Sequence, residues 1–255
     1  MQISSSFLLD NKVAIITGAS KGIGKSIAKA LGQQGAKLVL VSRKQEAVDA
    51  VAAEFKKEGI ESVAIAANMG NMSQVKTIIE GANTAFGGVD IVVNNAAINP
   101  VFGPIIETDL VAYEKIMDVN VKGPLELCKL AYPILKKRAG GSIINISSVE
   151  GLTPAFGLGL YSISKAALIA STKVLAKEWG VDNIRANVIC PGLVKTKFSE
   201  VLTSNDKIVK MVMHKQALQH LADPIDIAGL ALFLASNASS FCTGSVYKAD
   251  GGFTI

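Results

Sequence analysis

Short runs of aliphatic and β-branched residues punctuate the chain, separated by longer stretches in which apolar positions return every three or four residues. The runs predict strands over residues 13–17, 38–41, 62–66, 91–93, 142–146, 185–189 and 245–248. Most carry apolar side chains at consecutive positions, as parallel strands covered by helices on both faces require. The alternation of strand and helix predicts an α/β fold, a doubly wound seven-stranded parallel sheet with helices on both faces, spanning 1–255 as one domain. Glycines mark the helix-to-strand turns at Gly35, Gly59, Gly87, Gly88, Gly140 and Gly141, where a left-handed cap ends a helix. The rhythm breaks over 191–223, a polar, methionine-bearing insertion before the helix that Pro224 opens, and a substrate lid is expected there.

Composition narrows the class. With 49% hydrophobic and 18% charged residues among 255, the chain can bury a large core, which excludes disordered, collagenous and disulfide-scaffold classes. Its apolar stretches fall short of the ~20 residues that cross a bilayer, so no membrane segment is expected. Phe7, Leu8 and Leu9 are interrupted by Asp10 with no basic residue before them, which argues against a secretory signal and for a cytoplasmic location. Cys128, Cys190 and Cys242 are an odd number in apolar settings without ligand spacing, so buried reduced thiols are expected. His214 and His220 have no ligand-spaced partner, and no metal site is expected. The net charge is +5, but the cations are scattered, which argues against nucleic acid and for a phosphorylated small molecule.

A glycine-rich turn, Thr17-Gly18-Ala19-Ser20-Lys21-Gly22-Ile23-Gly24, links the first strand to a helix over 25–34. Small residues let the backbone approach a pyrophosphate, and the helix start offers N–H groups and a positive dipole. A tight βα connection needs glycine too, but the place at the first strand of a parallel sheet favours a dinucleotide. After the second strand the chain reads Ser42-Arg43-Lys44, without the acidic residue that accepts from an adenosine ribose hydroxyl. Arg43 with Lys21 suits a 2′-phosphate instead, so NADP(H) is expected over NAD(H), the alternative cofactor.

Tyr161 and Lys165 lie four apart in a segment expected to open a helix that runs to Trp179, so they share one helix face. An ammonium one turn away is expected to pull the phenol toward working pH, as a general acid/base needs. At this point the sequence resembles the short-chain dehydrogenase/reductase family from Lys12 to Gly252. The resemblance rests on the TGASKGIG turn, Asn94-Asn95-Ala96-Ala97, Val119-Asn120-Val121, the INISS run ending at Ser148, YSISK and Pro191-Gly192, in that order. It implies a Rossmann fold and a catalytic set of Asn120, Ser148, Tyr161 and Lys165. Tyr161 would exchange the proton at the substrate oxygen, Ser148 would hold that oxygen, Lys165 would bind the nicotinamide ribose, and Asn120 would anchor a proton-relay water. The cofactor would meet Gly18, Ser20, Lys21, Gly22, Ile23, Gly24, Arg43, Asn68, Met69, Asn94, Ala96, Tyr161, Lys165, Pro191, Gly192, Val194 and Thr196. Asn94 is expected along the adenosine ribose. Asn68 departs from the aspartate usual beside the adenine. A homotetramer packed through the helices containing 125–135 and 168–176 is also implied.

For the substrate, PGLVKTKFSEVL and the arginine after the second strand resemble tropinone-reductase-like and carbonyl-reductase-like members, so a small-molecule carbonyl/alcohol pair is expected. A 3-oxoacyl-[acyl-carrier-protein] reductase is the runner-up, supported by Lys136, Lys137 and Arg138 and weakened by Asp182. A sugar or polyol dehydrogenase stays open. A non-catalytic dinucleotide sensor is disfavoured because all four catalytic groups are intact. Pocket candidates are Ile98, Asn99, Gly151, Phe156, Leu158, Leu193, Phe198, Met211 and Met213, with Glu150 either facing the substrate or solvated.

Overall fold

The computed structural model describes residues 3–255. The chain begins with β1 (Val13–Thr17), α1 (Gly22–Gln33), β2 (Lys37–Ser42), α2 (Gln45–Lys57) and β3 (Ser62–Ala66). It continues through α3 (Met72–Phe86), β4 (Ile91–Asn94), α4 (Leu110–Met117), α5 (Gly123–Lys137), β5 (Gly141–Ile146) and α6 (Gly159–Trp179). The last part is β6 (Ile184–Pro191), α7 (Glu200–Thr203), α8 (Asp206–Lys215), α9 (Pro224–Ala235) and β7 (Val246–Ala249). Seven strands form one parallel sheet in the order β3-β2-β1-β4-β5-β6-β7.

Alternation along β1 divides the core. Ala14 and Ile16 pack with Ile27 and Leu31 of α1, Phe55 of α2 and Ala231 of α9. Val13 and Ile15 pack on the other face with Ile78 of α3, Leu127 of α5 and Leu175 of α6. Both faces are therefore apolar, which is why the strand reads as an unbroken hydrophobic run. The chain moves outward from β1 to β3 and then crosses back to β4, so a crevice opens beyond the carboxyl ends of β1 and β4.

Two local expectations need correction. The helix carrying Tyr161 begins at Gly159 and not near Ser148. Ser148 instead caps a 3-10 turn over Val149–Gly151, its hydroxyl accepting from the Glu150 N–H at 3.1 Å, and Gly157 at φ 82° breaks the path. Cys242 is half-buried, whereas Cys128 and Cys190 are buried as expected. The 191–223 insertion folds into α7 and α8. Between α4 and α5 a π-helical turn, Asp118–Lys122, carries Asn120 inward to 1% exposure, and no sequence pattern signals it.

Candidate active site

The glycine turn begins where β1 ends. Gly18 has φ +69°, and a Cβ there would sit 2.6 Å from Asn95 Nδ2. That nitrogen donates to the Thr17 carbonyl at 2.9 Å and to the Gly18 carbonyl at 3.3 Å. The Thr17 hydroxyl accepts from the backbone N–H groups of Asn95 and Ala96 at 3.0 and 3.1 Å. The ends of β1 and β4 are thus stitched together, and Asn95 is a brace that the motif contained without a role being read from it. Gly22, at φ +56°, faces Thr196, whose methyl carbon would lie 3.2 Å from an added Cβ. No side chain caps the start of α1 at Lys21, which leaves that end to an anion. Ser20 and Ile23 are half-buried beside it, and Gly24 is buried where a Cβ would meet Asn95 and the Gly18 carbonyl.

Across the crevice, Val194 pairs with Ala222 and Lys195 donates its N–H to the Ala222 carbonyl at 2.8 Å. Gly192 donates to the Ala249 carbonyl at 3.0 Å, so the segment from Pro191 to Thr196 runs along the wall opposite Gly22. Beyond β2, Arg43 is exposed and lines a crevice of about 300 Å³ with Asn68, Ile98, Val111, Glu114 and Asp118. Met69 next to Asn68 is buried at 3% exposure. Asn94 does not face the crevice: it is 2% exposed, and its Nδ2 donates to Asn145 Oδ1 at 2.8 Å and to Cys128 Sγ at 3.3 Å. A residue directly behind the sheet end was expected at the ribose, but β4 pleating turns its side chain into the core, where Asn145 in turn donates to Thr172 at 2.8 Å.

The remaining candidates converge at the ends of β5 and α6. Lys165 is 2% exposed, its Nζ donating to the Ile146 carbonyl at 2.8 Å and standing 5.5 Å from the Tyr161 ring centre. Ser147 Oγ donates to the Lys165 carbonyl at 2.9 Å, tying α6 to β5. Tyr161 is half-buried, and the Ser148 hydroxyl stands near enough to favour its ionised form. Asn120 Nδ2 donates to Ser164 Oγ at 3.0 Å and to the Ile98 carbonyl at 2.9 Å, while its Oδ1 accepts from the Ile98 N–H. Asn120, Ser148, Tyr161 and Lys165, scattered over 46 positions of sequence (165 − 120 + 1), therefore form one cluster.

The electrostatics correct one expectation. Desolvation pushes the Tyr161 phenol above its ordinary value, the Ser148 hydrogen bond opposes this, and the Glu150 charge adds to it. Lys165 does not pull the phenol down in the free protein. Burial weakens its own ammonium, lowering it to about 8, and its amine is committed to the Ile146 carbonyl. Glu150 is likewise neither solvated nor idle: its carboxylate accepts from the Ala155 N–H at 2.8 Å and the Ser162 hydroxyl at 3.3 Å, binding the 151–158 loop to the first turn of α6. Burial raises it above the usual carboxylate value.

The rim is apolar. Phe102, Phe156 and Phe198 are 68, 81 and 54% exposed, and the Phe198 ring centre lies 6.1 Å from that of Tyr161. Gly103 donates to the Gly157 carbonyl at 3.0 Å, so the loop after β4 rests on the loop before α6. Leu158, Leu193 and Met213 are half-buried, as are Asn99 and Gly151. Among the described residues, no helix is long and apolar enough to cross a membrane.

Comparisons with known proteins agree with this architecture. A family profile described as enoyl-(acyl carrier protein) reductase matches residues 18–254. Dehydrogenase/reductase SDR family member 4 of Sus scrofa is 40% identical over 244 residues, 96% of this chain and 88% of that protein. Tropinone reductase-like 3 of Erythroxylum coca is 37% identical over 243 residues, 95% and 93% of the two chains. Among solved structures, a gluconate 5-dehydrogenase from Burkholderia cenocepacia J2315, in complex with NADP and tartrate, superposes with a TM-score of 0.95 at 28% identity, covering 99% of each chain.

Proposed function

The chain belongs to the short-chain dehydrogenase/reductase family of oxidoreductases, and from that premise we propose that it interconverts an apolar ketone and a secondary alcohol with NADP(H), Tyr161 serving as general acid/base. The observation that carries this is the convergence of Ser148, Tyr161 and Lys165 at the end of β5 beneath an apolar rim. When bound, the nicotinamide supplies or takes up hydride, chemistry that belongs to the cofactor. The residues fit it: the left-handed Gly22 leaves the turn open opposite Thr196, and the start of α1 is uncapped.

In the reducing direction a substrate carbonyl oxygen sits between the Ser148 hydroxyl and the Tyr161 phenol. The raised phenol is protonated at neutral pH and so is ready to donate as charge develops on that oxygen. The Lys165 ammonium binds the ribose hydroxyls and passes the replacement proton toward Tyr161. Asn120 spends its side-chain amide on Ile98 and Ser164. The relay water is therefore assigned to its main-chain carbonyl. α7 and α8 close over the substrate.

Arg43 and Lys21 make no ion pair among the described residues, which leaves both cations for a 2′-phosphate and favours NADP(H) over NAD(H). Carrier-protein docking finds less support. Lys136 is paired with Asp182 at 3.0 Å and Arg138 with Asp90 at 2.7 Å, so two of the three cations in that cluster are already neutralised. Exposed Leu125, Ile163 and Val174 on α5 and α6 favour assembly through those helices as a homotetramer.

The test is NADPH consumption with aryl and alkyl ketones, α-dicarbonyls, acetoacetyl thioesters and keto-sugars. Turnover of apolar ketones or dicarbonyls is expected; preference for the thioester would overturn the substrate assignment. A second outcome follows from the Lys165 ammonium near 8. Dissociation constants for NADPH are expected to be flat between about pH 7 and 8, where the 2′-phosphate is already doubly charged, and to rise above that, as the amine loses the proton it donates to the ribose. Fluorescence titration from pH 7 upward checks this, and a constant that falls or stays level above pH 8 would contradict it.

A further inference from the structure

Resting on the acid/base role of Tyr161, we propose that Glu150 is a positioning residue that sets the spacing of the Ser148 and Tyr161 hydroxyls. Those two groups have to reach one substrate oxygen, yet they stand on separate elements. Ser148 caps the 3-10 turn that follows β5, whereas Tyr161 lies in the first turn of α6. Only a tie between the turn and the helix start can hold the two oxygens in register.

Glu150 touches both sides. Its backbone N–H donates to the Ser148 hydroxyl oxygen at 3.1 Å, and its carboxylate accepts at 3.3 Å from the hydroxyl of Ser162, the neighbour of Tyr161. The same Oε2 accepts from the Ala155 N–H at 2.8 Å, which holds the intervening loop. Gly151 lets the turn come this close to α6: a Cβ there would stand 2.8 Å from the Lys165 carbonyl carbon and 3.0 Å from the Ala166 nitrogen. Ser162 is 2% exposed, so its hydroxyl has no bulk solvent to turn to when the carboxylate is removed.

The other ties on α6 do not do this. Ser147 bonds the Lys165 carbonyl and Lys165 bonds the Ile146 carbonyl, and both act one turn further along the helix. Ser164 holds the Tyr161 carbonyl at 2.7 Å, but it answers to Asn120 in the π-helical turn and not to Ser148. No side chain caps the helix start at Leu158. Without the carboxylate, the first turn of α6 and the phenol on it can shift against Ser148, and a displacement of about 1 Å costs roughly 10²-fold in rate. The Glu150 charge also holds the phenol up. Glu150→Gln separates the two effects, since it keeps an acceptor oxygen for Ser162 and Ala155 and loses the charge.

The experiment measures single-turnover reduction of an aryl ketone at saturating NADPH for the wild type, Glu150→Ala, Glu150→Gln and Ser162→Ala, each with Tyr161 intact and with Tyr161→Phe. With Tyr161 intact, Glu150→Ala is expected to slow the step by about 10- to 100-fold and Ser162→Ala by about 3- to 10-fold, while Glu150→Gln stays within about threefold of the wild type. Combined with Tyr161→Phe, the Glu150→Ala loss is expected to shrink to about twofold, because a brace for the phenol has no oxygen left to place. A full-sized loss in that combination, a Glu150→Gln as slow as Glu150→Ala, or an undiminished rate in Glu150→Ala would overturn the positioning role and leave Tyr161 as the acid/base. Should Glu150→Ala not fold, Ser162→Ala decides: a loss that vanishes with Tyr161→Phe supports the role, and a loss that persists, or no loss at all, overturns it. Full turnover in Tyr161→Phe alone would overturn the roles of Tyr161 and Glu150 together.

Discussion

Tyr161→Phe is expected to lower ketone turnover by about 10²- to 10⁴-fold, the usual contribution of a positioned proton donor. NADPH affinity should move by no more than about twofold, because losing one hydroxyl leaves every other cofactor contact intact. The substitution keeps the ring beside Phe198 and near the Lys165 amine, so packing is preserved and only the oxygen is lost. The Ser148 hydroxyl still reaches the substrate oxygen and α6 stays anchored through Ser147. Residual activity should therefore reflect orientation and a hydrogen bond without a proton. Steady-state rates with titrated NADPH check this, and a loss confined to KM would contradict it.

Arg43→Asp is expected to raise KM for NADPH by about 10- to 100-fold, the loss of charge-assisted hydrogen bonds plus repulsion of the phosphate. The value for NADH should fall or stay level, since the new carboxylate can accept from a ribose hydroxyl. Arg43 is exposed and lies outside the core, so the fold has no stake in it. Lys21 keeps part of the attraction, which is why the effect is bounded. A coenzyme ratio unchanged by the substitution would remove Arg43 from the 2′-phosphate site.

The sheet was legible because its strands are buried on both faces and written as continuous aliphatic runs; most observed ends lie within a residue or two of the expected ones. β6 ran further, to Pro191, because hydrogen bonding with β7 continues through Ala249. Gly18, Gly22 and Gly24 were readable as a turn, since left-handed backbone and close approach both select glycine. Three features were not readable. Asn94 follows an aliphatic run, and only the pleat decides that its side chain joins Asn145 in the core. The π-helical turn at Asp118–Lys122 leaves no periodic signal, yet it buries Asn120. The Tyr161 and Lys165 spacing implied charge coupling, but depth of burial sets both values, and depth is a property of the packed molecule.

Hydride transfer between a nicotinamide and a carbonyl carbon is the chemistry proposed for this site. Its most direct measurement uses NADPH deuterated at the transferable position, an aryl alkyl ketone and mass spectrometry of the product. A secondary alcohol carrying one deuterium on the carbinol carbon is expected from the wild type, and almost no alcohol from Tyr161→Phe. Tight NADPH binding with no deuterated alcohol from any ketone or dicarbonyl would contradict it and leave a protein that senses the dinucleotide without using it.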